Sequence, residues 1–199
     1  MSEPISASSS FEYLSVAHEM LVVDESSMTI ITNHTVHVRA LRAERFFERI
    51  YCWTGSGVEK DPKVLSKLDD LGHVHKLHGP VIRNGSERIY LIDLGRRLAE
   101  GEEEIIEFEH TFVDVGRTFV PFLGHRAKPG LRDLQLRVLL PDKDRRSVRK
   151  ECWREGSQHP YQIEMADPSP CERNGVTYHA YEFRRDRPEP GDRYRLTWL

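Results

Sequence analysis

The 199 residues suffice for one large domain or two of about 100 residues each, and for a core that needs no disulfide or metal staples. At 38% hydrophobic and 31% charged, with 29 Lys and Arg against 32 Asp and Glu, the chain is neither disordered in bulk nor committed globally to nucleic acid. No apolar run approaches the roughly 18 residues of a membrane helix, MSEPISASSS lacks the basic-then-apolar plan of a secretory signal, and three cysteines at no recognisable spacing predict a reducing, cytoplasmic setting.

Residues 1–10, Ser-rich with a proline, read as a disordered tail. Period-two alternation, the mark of half-buried strands, then dominates. FEYLSVAHEM, MTIITNHTVHVRAL and RIYCW are the first predicted strands, while LRAERFFERI fits a helical turn or a loop equally well. DPKVLSKLDDLG predicts a helix near residues 61–71, with Asp61 as N-cap, Pro62 in the first turn, an apolar stripe of Val64, Leu65, Leu68 and Leu71, and Gly72 as the stop. VHKLHG and RIYLIDL follow, then EIIEFEHTF, which places Ile106, Phe108, His110 and Phe112 on one face. RTFVPFL, LRDLQLRVLLP, VRKECW, YQIEM and TYHAYEF come next. The chain closes on GDRYRLTWL, where Tyr194, Leu196 and Trp198 alternate with Arg193, Arg195 and Thr197. About a dozen short strands with turn chemistry between them predict an all-β protein.

Two landmarks recur in the same order: Cys52-Trp53 with Cys152-Trp153, and Arg83-Asn84-Gly85 with Arg173-Asn174-Gly175. A further glycine, Gly101 or Gly191, lies 16 residues after each Asn-Gly step. The Cys-to-Arg gap is 31 residues in the first copy and 21 in the second, a difference close to the length of the lone helix. The expectation is an internal duplication: a first β-sandwich module at 11–114, carrying the helix as an insertion, and a second at 115–199. In general layout these resemble immunoglobulin-like or fibronectin-like sandwiches. Each Asn-Gly would form a tight hairpin, and Trp53, Trp153, Phe108 and Trp198 would be buried in equivalent pairs.

Few residues carry recognisable chemistry. His73 and His75 share a strand face, and with His78, Cys52 or an acid they could hold a zinc ion, but exposed or capping histidines are the ordinary reading. Cys52 and Cys152 read as small buried hydrophobes and Cys171 as an exposed turn residue, none beside a general base. Glu107 and Glu109 share a polar strand face with Thr111 and read as solvated. No nucleotide or phosphate loop is present and no cofactor is predicted.

Charge is unevenly divided. The first 120 residues carry 13 basic and 20 acidic side chains, a net of −7; the last 79 carry 16 and 12, a net of +4. The basic part concentrates in Lys143, Arg145, Arg146, Arg149, Lys150 and Arg154, which would meet a protein partner ahead of nucleic acid, or the acidic first module. The functional expectation is therefore a non-enzymatic protein that binds a macromolecule through β-sandwich loops and a basic surface. The alternative is a small metal-dependent hydrolase or ligand-binding protein with a His-lined cleft between the modules.

Overall fold

The computed structural model describes residues 10–24, 28–65, 72–142 and 146–198. Among them are fifteen strands and no helix: β1 (Phe11–Asp24), β2 (Thr29–Ala40), β3 (Glu44–Cys52), β4 (Gly57–Glu59), β5 (Lys63–Val64), β6 (Lys76–Asn84), β7 (Glu87–Leu98), β8 (Glu103–Asp114), β9 (Phe122–Arg126), β10 (Asp133–Pro141), β11 (Val148–Trp153), β12 (Gln162–Met165), β13 (Ser169–Arg173), β14 (Val176–Asp186) and β15 (Arg193–Trp198). A large sheet has the order β13-β14-β10-β1-β2-β8-β4, with β5 also on β8; a four-stranded sheet runs β12-β11-β15-β9 and a three-stranded sheet β3-β7-β6. Both small sheets pack on one face of the large one, and a single apolar cluster joins all three.

Alternation builds that core. Val16 and Met20 of β1, Ile30, Val36 and Val38 of β2, Ile106, Phe108 and Phe112 of β8, and Leu134, Leu136 and Val138 of β10 fill the inner face of the large sheet. They meet Phe47, Tyr90 and Ile92 of the three-stranded sheet and Leu123, Tyr194, Leu196 and Trp198 of the four-stranded one. A register shift between Tyr13 and Ser15 in the β1–β2 pair marks a bulge, and beside it Tyr13 and Leu14 are buried in succession.

The expected halves share one sheet. β1 and β10 pair in parallel, Ser15 opposite Asp133 through Leu21 opposite Leu139. Their strand orders also differ. In the first half the Cys-Trp strand β3 pairs with β7 of the Arg-Asn-Gly hairpin, and β2 pairs with β8; in the second, the Cys-Trp strand β11 pairs with the last strand β15, and the hairpin strand β14 pairs with β10. The repeated tripeptides even turn differently. Asn174 and Gly175 are the two corners between Arg173 and Val176, both with positive φ, whereas Asn84 is itself paired with Glu87 and only Gly85 supplies positive φ.

The helix expected at 61–71 is not formed over its described part, and residues 66–71 lie outside the described residues. Lys63 and Val64 instead pair with Glu109 and Phe108, the Leu65 N–H donates to the Glu107 carbonyl at 2.8 Å, and Asp61 accepts from Arg83 at 3.0 Å. The edge of β8 needs hydrogen-bond partners, and that tertiary demand overrides local helix propensity. LRAERFFERI resolves as a bend followed by β3. Trp53, Phe108 and Trp198 are buried as expected, but Trp153 is half-buried, because β15 turns Tyr194, Leu196 and Trp198 inward and leaves Trp153 on the outer side.

A sheet shared between the halves should unfold as one unit. Leu136→Ala is expected to lower stability by about 2–5 kcal/mol and Trp198→Ala by about 3–5 kcal/mol, with Trp153→Ala clearly below both. Fluorescence and circular-dichroism transitions in urea should coincide for each variant; two separate midpoints would show that the halves fold independently.

Candidate functional site

Two places in the fold concentrate polar chemistry. The first is internal. Histidines occupy core-facing positions on adjacent strands of the large sheet: His18 on β1 lies opposite His34 on β2, and Thr32 on β2 lies opposite His110 on β8. His125 on β9 comes down from the four-stranded sheet. His34 Nδ1 lies 2.8 Å from His18 Nδ1, His18 Nε2 lies 3.1 Å from His125 Nδ1, and His34 Nε2 lies 3.0 Å from Thr32 Oγ1. A neutral imidazole has one N–H and one lone pair, so this chain from Thr32 to His125 admits two opposite hydrogen orders.

The third wall belongs to the three-stranded sheet. Arg49 sits between Phe47 and Tyr51 on the inward face of β3, opposite Tyr90 of β7, with its Cζ 6.0 Å from the Phe108 ring centroid. Tyr51 and Tyr90 bring their rings to 4.5 and 5.3 Å from His110, and the Tyr51 hydroxyl bonds Glu59, which also takes Arg88 Nε at 2.6 Å. Burial depresses the pKa of every histidine here, and the Arg49 charge adds to it. His18 and His34 are held well below the usual range, and His110 and His125 are pushed down to about 3.

The second place is the outer face of the four-stranded sheet. The Arg195 guanidinium lies 4.7 Å from the Phe122 ring centroid and 5.2 Å from that of Trp153, and Arg193 lies 5.2 Å from Trp153 on the same ladder. The Trp153 indole N–H and the Thr197 hydroxyl each donate to Glu151 Oε2 at 3.2 Å. Gly124 makes room for the ladder, since a Cβ there would stand 2.9 Å from Arg195 Cγ. Ile163 and Met165, 52% and 57% exposed, extend this face over β12.

Strand alternation divides the basic segment expected to bind a partner. Arg149 lies opposite Thr197 and Met165 on the outer face, and Arg154 stands over the Tyr161 ring at 5.5 Å. Lys150 turns the other way, into a cleft of about 130 Å³ lined also by Cys152, Gln162, Glu164, Phe183 and Arg185. Arg146 is half-buried before β11, and Lys143 and Arg145 lie outside the described residues. His75 Nε2 is 3.8 Å from Glu104 Oε1 and His78 packs 4.7 Å from the Phe46 ring, while His73 is half-buried in the segment between them and the undescribed residues. Among the described residues, no group of three or more His, Cys, Asp and Glu is arranged to hold a metal ion.

The internal histidines fix a pH dependence. Their folded pKa values lie below the ordinary 6.5, so below that pH the unfolded chain takes up protons that the fold excludes. Stability from these groups is complete above pH 6.5 and is lost as the pH falls, by about 1.4 kcal/mol per unit for each histidine. The paired carboxylates Asp93, Glu103 and Glu104, whose pKa values are lowered, contribute their own loss only at more acid pH. Urea midpoints between about pH 6.5 and 4.5 should therefore fall steeply, and His110→Phe should flatten the slope. An unchanged slope would mean that His110 titrates normally.

No family profile matches the sequence, and no curated protein does either. Solved structures do resemble the fold. A Parabacteroides distasonis protein provisionally named a protease aligns with TM-score 0.51 at 9% identity, covering 95% of this chain and 40% of its own. A mutant two-domain M1 zinc metallopeptidase with bound L-arginine aligns with TM-score 0.50 at 11% identity, over 94% of this chain and 42% of its own. An M1 zinc metallopeptidase from Deinococcus radiodurans gives TM-score 0.48 at 12% identity, again over 94% and 42%. The chain thus spans about two fifths of the length of these neighbours, and at such identities the first two likenesses speak for the fold alone.

Proposed function

We propose that this chain is a non-catalytic binding module that docks the outer face of its four-stranded sheet onto an acidic protein surface, in the reducing environment that three free cysteines suit. The ladder of Phe122, Arg195, Trp153 and Arg193 carries this reading. Aromatic and arginine side chains dominate binding hot spots, and guanidinium groups already stacked on rings lose little freedom when a partner arrives. Charge complementarity selects an acidic partner. Arg126, Arg149 and Arg154 join the two ladder arginines on this face and its rim, while Glu151 is buried under Trp153 and Thr197, and Glu155 lies 3.6 Å from Arg126. The size relation to the solved neighbours supports a modular role, since in a two-domain metallopeptidase a comparable fold occupies only 42% of the chain.

A photo-crosslinker at exposed Ile163 should capture a protein in native cells, where the same group at exposed Val176 does not. Changing Arg149 and Arg154 to Glu should reduce capture about tenfold, and added salt should slow association. Capture that is equal at both positions, insensitive to the charge reversal, or made of nuclease-sensitive nucleic acid would overturn the reading.

A further inference from the structure

The cleft of about 130 Å³ behind the β11–β12 ladder is not used by the docking face, which lies on the other side of the same strands. It opens between the four-stranded sheet and the β14 end of the large one. Cys152 and Phe183 are buried at its floor, and Lys150, Gln162, Glu164, Arg184 and Arg185 form the rest of its lining. Arg184 is engaged elsewhere, with Nη2 3.3 Å from Glu182 Oε2.

Lys150 and Arg185 are half-buried in this cleft, one from each sheet. Among the described residues, neither side chain has an ion pair or a side-chain hydrogen bond. Arg185 lies opposite the buried Leu134 in the β10–β14 ladder, so it points at the four-stranded sheet. Burial raises the pKa of the Cys152 thiol and of the Tyr194 hydroxyl, and the Arg185 charge works against the rise in both, as a guanidinium reaching across the gap would. Lys150 faces Glu164 across the β11–β12 ladder, yet Glu164 Oε1 instead accepts from Gln162 Nε2 at 2.6 Å. Two cations that share a cleft without a counter-charge repel each other and favour an anion between them.

The donors narrow the class of anion. They come from three strands on two sheets, and a tetrahedral oxyanion presents acceptors in all those directions, where a planar carboxylate presents two on one side. Volume sets an upper limit, since about 130 Å³ falls short of the roughly 300–1,000 Å³ of sites that enclose drug-sized ligands. We propose that this cleft binds a single phosphoryl group, as free phosphate or as the head of a small phosphomonoester, held by Lys150, Arg185 and the second amide hydrogen of Gln162. Glu164 stands at the rim as a competing negative charge and sets the affinity from below.

The test titrates the full chain with inorganic phosphate and, in a second arm, glycerol phosphate, against chloride and acetate at constant ionic strength. Either phosphate should raise the thermal midpoint saturably and shift the Gln162 side-chain amide resonances; a stronger response to the ester would identify it as the preferred source. Lys150→Met and Arg185→Met should each weaken the apparent affinity about tenfold. Glu164→Gln should tighten it about threefold, a gain that damage to the fold would not produce. Charge reversal of Arg149 and Arg154, on the docking face, should leave it within about twofold, so this cleft and that face can fail separately. A response no larger than that to chloride, resonance shifts confined to Arg193 and Arg195, or Lys150 and Arg185 variants that bind like wild type would overturn the proposal.

Discussion

The parallel pairing of β1 with β10 is the constraint on which the other elements depend. It splices residues 15–21 to residues 133–139, so strands from opposite ends of the sequence form one floor under both small sheets. Without that seam, β9 would have no reason to lie over β1, and His125 could not reach His18. The bulge beside Tyr13 matters for the same reason, since it lets β1 pair with β2 on one side while Leu14 accepts from the Arg132 N–H at 2.9 Å on the other.

A floor built this way would be expected to carry an apolar core throughout, yet its centre is polar. Four imidazoles and a guanidinium displace what could have been aliphatic contacts, at a desolvation penalty that only hydrogen bonds, aromatic faces and neutrality can offset. The histidines meet it by remaining uncharged and bonding one another, and His34 stacks on Phe108 at 4.7 Å. Arg49 has the Phe108 face and two tyrosines. The arrangement sets the interior's response to acid, which follows from burying neutral imidazoles beside a guanidinium where aliphatic side chains could have packed.

Much of this was legible in the sequence at the level of single strands. Alternation located most of the strands and set the inward faces of β8, β10 and β15, including His110 among Ile106, Phe108 and Phe112. It also set Arg193 and Arg195 opposite Tyr194, Leu196 and Trp198. Which strand lies beside which was not legible, because period-two patterns fix a face and carry no address for the neighbour. The duplicated Cys-Trp and Arg-Asn-Gly landmarks therefore suggested an equivalence that the pairings do not respect. The histidine cluster was hidden for the same reason. His18, His34, His110 and His125 are spread over 107 positions, and nothing in their spacing announces a meeting point. Arg49 lay where LRAERFFERI, of ambiguous period, overlaps the predicted strand RIYCW, and which sheet it would face became visible only with the pairing of β3 with β7.

The margins of the sheets bear on how another protein can approach. The large sheet ends on one side in β13, five residues long with Pro170 in it, and on the other in the fragments β4 and β5, three and two residues long. The four-stranded sheet is bounded by β12 and β9, of four and five residues, and β6 is broken by a register shift between His78 and Ile82. β3, like β6 nine residues long, turns Arg45 and Glu48 to solvent and has a register shift between Glu44 and Phe46. Margins this short, broken or charged offer few consecutive free amides to an incoming strand. A companion molecule is thereby steered away from extending a sheet sideways and toward lying flat upon one, and runaway edge-to-edge polymerisation is discouraged by the same geometry.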